Sequence, residues 1–120
     1  MSWRRKAQEL AELAAANPNN VHVLMKWGEA CQRAGDDITA AEAFTRIADC
    51  YTREGFFLKA VALLKKVARL DPNRNDINFR LVDLYLHLQL VSDAVASFRR
   101  AIESAAFART PRRSSRWLRS

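Results

Sequence analysis

Apolar residues recur along this chain at spacings of three and four. Ile77, Leu81, Leu84, Tyr85 and Leu88 form one such stripe, the mark of one buried face on a 3.6-residue helix. The stripes are interrupted at Asn17-Pro18, Gly35, Gly55 and Asp71-Pro72. The residue before a proline avoids the α region, and glycine suits a left-handed helix end. These punctuation marks predict six antiparallel helices, at about 2–16, 20–34, 37–54, 56–70, 75–88 and 91–106. Asn20 and Asn75 stand where N-caps belong. With three Gly, three Pro and few β-branched runs, the chain has little turn chemistry for a β fold, and the class is all-α.

A period of 34 underlies the helices. It separates Lys6 from Ala40 and Ala60 from Ala94. Ala40, Ala60 and Ala94 are each followed four residues later by Phe44, Leu64 and Phe98, and the half-match at Lys6 by Leu10. Small residues let helix backbones approach, and the large ones fill the groove beside them. The expected core is Trp27, Phe44, Tyr51, Leu64, Leu81, Tyr85 and Phe98.

This pattern resembles the tetratricopeptide repeat, W-x2-L-G-x2-Y, A-x3-F, P. One instance is Leu24-x2-Trp27-Gly28-x2-Cys31 with Ala40 and Phe44. A second is Phe44-x2-Ile47-Ala48-x2-Tyr51 with Ala60, Leu64 and Pro72, and a third is Asn78-x2-Leu81-Val82-x2-Tyr85 with Ala94 and Phe98. The first two overlap, because Ala40 and Ala60 are only 20 residues apart. The resemblance therefore implies a short solenoid with an irregular, shared helix between about Asp37 and Glu54. Asn78 departs from the usual large apolar residue, and Gln89 stands where the other turns have Gly35 and Gly55. Residues 55–94 look most like bacterial proteins of deltaproteobacterial and myxobacterial type, some of which engage a Ras-like small GTPase.

Composition fits one small domain. Hydrophobic residues are 49% of the 120, enough for a packed core. The net charge of +7 is unevenly placed. Residues 1–108 hold 15 Lys and Arg against 13 Asp and Glu, whereas residues 109–120 hold five Arg and no acid. We therefore expect a helical domain over 1–108 and a basic tail over 109–120. The charged N-terminus lacks the apolar stretch of a signal peptide, so the expected address is cytoplasmic. Cys31 and Cys50 are expected as buried reduced thiols.

No catalytic constellation, phosphate-cradling loop or metal-ligand spacing is present in the sequence, so the expectation is a non-enzyme without cofactor. His22 and His87 are isolated and expected at the surface. One pattern does recur: base-x2-acid-x3-base, in Lys26/Glu29/Arg33, Arg46/Asp49/Arg53 and Arg80/Asp83/His87. Each triplet shares one helix face. Met25, Thr45 and Phe79 precede the leading bases and would add an apolar floor. The resemblance implies a groove on this face, and the alternative is three sets of solvated intrahelical pairs. The family's clamp for C-terminal carboxylates uses Asn and Lys, whereas Glu29, Asp49 and Asp83 stand where Asn is expected. Three acids would repel a peptide carboxylate.

The expected function is thus a scaffold that binds a protein segment in its groove. The alternative is an anion-binding module whose tail residues Arg109, Arg112, Arg113, Arg116 and Arg119, interleaved with Trp117, dock on nucleic acid or a membrane. The last helix offers Val91, Ala94, Val95, Phe98, Ile102 and Ala105 with no polar capping helix after it. Self-association is expected there.

Overall fold

The computed structural model describes residues 2–109, with side chains as far as residue 106. The helices are α1 (Trp3–Ala16), α2 (Val21–Arg33), α3 (Asp37–Arg53), α4 (Phe57–Leu70), α5 (Asp76–His87) and α6 (Val91–Arg109). No strand occurs among the described residues. The chain divides into two compact units, α1 to α4 through Arg74 and α5 to α6 from Asn75. In the first, α2 packs on α1, α3 on α2 and α4 on α3; in the second, α6 packs on α5.

Two kinds of connection join the helices. Three are tight and follow one hydrogen-bond scheme. Asp36 N–H donates to the Cys31 carbonyl, Phe56 N–H to Tyr51 and Leu90 N–H to Tyr85, at 2.8–2.9 Å. A second bond, spanning fewer residues, closes each turn inside it at 3.0–3.1 Å, from Gly35 to Gln32, Gly55 to Thr52 and Gln89 to Leu86. This double bond satisfies the last helical carbonyls and requires a left-handed residue at its apex. Gly35 and Gly55 supply it at φ near +82° and +83°, and Gln89 at +59°. The departure from glycine at Gln89 leaves the turn intact, at a cost of roughly 1–2 kcal/mol for an L side chain in that region. The other two connections carry proline. Asn17 and Asp71, each before a Pro, take the same non-helical conformation, with φ near −133° and −135°.

The order of these connections explains the overlapping repeats. A tight turn joins α2 to α3 and another joins α3 to α4, with no proline loop between. So α3 is second member of one helical hairpin and first member of the next. It is accordingly buried on many sides: Ala40, Ala41, Ala43, Phe44, Thr45, Ile47, Ala48 and Cys50 are all buried. The Phe44 ring lies so close to Gly28 of α2 that a Cβ there would sit 2.7 Å from it. Over the ring, the Lys66 ammonium of α4 stands 4.3 Å from its centroid.

Most of the expected core is buried: Trp27, Phe44, Leu64, Leu81 and Tyr85. Tyr51 is half-buried, with Lys59 of α4 over its ring. Phe98 is a correction. It is 50% exposed and meets Phe79 edge-on at 6.2 Å between ring centroids. Ala94 beside it is buried as expected, but Phe98 lies on the side of α6 that takes no packed helix within its unit. Asn78 accepts a 3.5 Å hydrogen bond from Arg100 Nε on α6, so a polar tie replaces the usual apolar contact.

Helix starts are partly as expected. Asn20 accepts from Val23 N–H at 3.2 Å, whereas Asn75 makes no side-chain cap because its own backbone is already helical. Asp36 caps α3 instead, accepting from Thr39 N–H at 3.1 Å, and Ser2 caps α1.

Two outcomes follow from this packing. Phe44→Ala should cost about 3–5 kcal/mol, and Phe98→Ala roughly 1–2 kcal/mol, because half of that ring already faces water. Urea unfolding at low protein concentration checks the contrast, and equal losses would contradict the assigned burial. Hydrogen bonding from Thr39, side chain first and backbone second, holds the Asp36 carboxyl below its ordinary value of 3.8. A depressed folded value means stability that is present at neutral pH and lost as pH falls through it. Asp36→Ala should therefore lower stability by about 1 kcal/mol near neutral pH. In urea titrations the difference should shrink below pH 3.8.

Candidate functional site

The sequence-derived ladder falls partly in each unit, and its residues meet different surroundings. On α2, Met25 is half-buried and Lys26 and Glu29 are exposed. Arg33 turns toward α1 and lies 4.7 Å from the Trp3 ring centroid. On α3, the Arg46 guanidinium bridges to Glu42 at 3.0 Å and lies 5.3 Å from the Trp27 ring. Arg53 donates to Asn19 Oδ1 at 3.1 Å and approaches the Cys50 sulfur at 3.3 Å. Thr45 is not available as a groove floor. It is buried, donates to the Ala41 carbonyl at 2.7 Å and accepts from Arg74 at 2.8 Å.

On α5, Phe79 is 43% exposed, Arg80 bridges to Asp76 at 3.2 Å, and Asp83 is exposed. The His87 Nδ1–H donates to the Asp83 carbonyl at 2.8 Å. Both bridges thus reach the acid one turn before the base, outside the triplets as read from sequence. That is the favoured orientation for an i,i+4 pair, acid toward the helix N-terminus. Both pairs are largely exposed, so each contributes at most about 0.5 kcal/mol.

Three of the expected groove residues do converge. Arg46, Asp49 and Arg53 line a cavity of about 230 Å³ with Pro18, Asn19 and Cys50. It lies between the loop after α1 and the C-terminal half of α3. The α1 loop reaches it because α2 and α3 run back along each other through the tight turn at Gly35. Two guanidinium groups, a carboxylate and a side-chain amide give it a mixed polar lining. Such a lining can hold a peptide's backbone and charged side chains.

A larger cavity, about 480 Å³, was not anticipated from sequence. Ala7 and Ala11 of α1 face Trp27 and Cys31 of α2 across it, with the exposed Arg4 and Asp36 also on its lining. The signal was present as two alanines one turn apart, Ala7 and Ala11, which leave space where larger side chains would fill it. Cys31 is buried. Burial pushes its thiol above the ordinary value of 9.0, and the nearby Asp36 and Glu42 carboxylates push it further. A raised value means less thiolate and low reactivity.

Among the described residues, no group of His, Cys, Asp and Glu could hold a metal ion. No helix among them is long and apolar enough to cross a membrane. The side chains of Arg109, Arg112, Arg113, Arg116 and Arg119 lie outside the described residues.

Residues 41–74 match the tetratricopeptide repeat family. The match spans most of α3, all of α4 and the loop that follows. No curated protein is significantly similar in sequence. Among solved structures, the fold resembles a crystal structure of MamA at 18% identity and TM-score 0.52, covering 85% of this chain and 68% of that one. A MamA RS-1 double mutant matches at 14% identity and TM-score 0.56, covering 90% and 68%. MamA AMB-1 matches at 22% identity and TM-score 0.50, covering 83% and 67%. At these identities the likeness is one of fold: a short all-α solenoid of tetratricopeptide type.

The thiol environment has a direct check. Native Cys31 and Cys50 should both react slowly with an aromatic disulfide reagent at mildly alkaline pH, and both should react at once in denaturant. Rapid modification of one thiol in the native chain would contradict their burial.

Proposed function

We propose that the protein is a non-catalytic scaffold that binds a protein segment along the polar face of its repeats. The tetratricopeptide match and the helical-repeat fold are consistent with a protein-interaction scaffold. The observation that carries the reading is the cavity at α3, where Arg46, Asp49 and Arg53 come together with Asn19 and Pro18. These residues offer donors and an acceptor at one opening, the requirement for holding an extended or helical segment by its polar groups. Met25, Lys26, Glu29 and Arg33 on α2 would extend that surface within the first unit. Phe79, Arg80 and Asp83 give the second unit a comparable polar and aromatic face of its own. The partner proposed is a protein. The finer identification, a Ras-like small GTPase, rests on the sequence resemblance of residues 55–94 alone, as does bacterial type.

Charge reversal tests the reading. Glu29→Lys, Asp49→Lys and Asp83→Lys together should abolish capture of a natural partner from cell extract while far-UV circular dichroism stays unchanged. The wild-type chain is the reference, and each captured protein is then purified and titrated against both forms. Equal affinity for the triple variant would reduce the ladder to a solvated face. Binding to a DNA oligomer or anionic vesicles that disappears on removing residues 109–120, and with rising salt, would favour the anion-binding alternative.

A further inference from the structure

We propose that α6 is a self-association surface, on which a second copy of this chain docks its own α6 in antiparallel orientation. The inference is independent of the groove reading above. Val91, Val95, Phe98 and Ile102 are 62%, 51%, 50% and 48% exposed. Their spacing of four, three and four residues is the a/d spacing of a helix-packing seam, not a scatter of surface apolars. The adjoining side of the same helix is used already: Ala94, Ser97 and Ala101 are buried, and α5 packs on α6. The charged residues Asp93, Arg100 and Glu103 lie off the stripe by helical spacing. Phe79 of α5, 43% exposed and edge-on to Phe98, widens the apolar surface on one side.

Two features select a second copy as the occupant. The first is volume. The two valines lie toward the N-terminal end of the stripe and the two larger side chains toward the C-terminal end. An antiparallel two-fold then sets Val91 against Ile102 of the second copy, and Val95 against Phe98. Each level pairs one small with one large side chain, the arrangement that fills a seam evenly. A parallel pair would crowd Phe98 on Phe98 and leave the valine end loose. The second is area. The stripe and Phe79 expose on the order of 500 Å² per copy. Pairing thus removes on the order of 1,000 Å², the lower bound for a specific interface. A two-fold contact uses the same patch twice and so closes on itself as a dimer.

Sedimentation equilibrium of the 120-residue chain over a concentration series should converge on twice 13.7 kDa. Val95→Glu should weaken the dimer at least tenfold. Val91→Lys should weaken it as well, and since Val91 is mostly in water the fold cannot depend on it; circular dichroism confirms the helix content of both. Geometry is read by disulfide trapping. Val91→Cys chains mixed with Ile102→Cys chains should cross-link to each other on mild oxidation, and neither should cross-link alone. A monomeric mass at every concentration, or dimerisation unchanged by both substitutions, overturns the proposal. So do open-ended oligomers, a dimer between this α6 and another surface, or Val91→Cys chains that cross-link only among themselves.

Discussion

The contact of Phe44 with the bare backbone of Gly28 ties α2 to α3, and the Lys66 ammonium over that ring ties α3 to α4. The packing of α2, α3 and α4 is organised around it. A helix can serve two hairpins only if both of its flanks approach closely. α3 meets that demand with Ala40, Ala41, Ala43 and Ala48 around a single large ring. Small residues bring the backbones together, and the ring fills the space they leave. Dispersion and apolar burial thus concentrate on one helix, while the ion pairs around it stay in water and add little.

Much of this arrangement is legible in the sequence. Helix ends are written at proline and at left-handed turns, where backbone sterics leave few options. The sharing of α3 is legible too, because the 20-residue step from Ala40 to Ala60 leaves no room for a separate intervening helix. The turn at Gln89 shows the limit of such punctuation. The hydrogen bonds of the turn, together with the packing of α5 on α6, hold a non-glycine residue in a region it would leave alone.

What the sequence obscured has one common cause. A spacing rule tells which residues share a face, but not what that face meets. Phe98 carries the same pattern as Phe44 and Leu64, yet they lie between helices and it lies at the side of α6. Arg46 and Arg80 share faces with Asp49 and Asp83, but bridges to Glu42 and Asp76 are also within reach and run in the favoured direction. Asn75 has the right side chain for a cap, but its backbone has entered the helix one residue early. The cavity beside Trp27 was hidden differently: it is made of what alanines do not fill.

The two kinds of connection also decide where this architecture can be lengthened. In a regular array, alternate helices play alternate roles, and each proline loop marks the seam between whole repeats. Within the first unit, inserting or removing a helical pair at residues 17–20 keeps every remaining helix in its role. The same change at residues 34–36 or 54–56 would separate α3 from one of its two hairpins and strand a ring that needs both neighbours. The shared helix therefore behaves as a dislocation in a one-dimensional crystal. Any lengthening falls outside it, and the defect itself is inherited whole.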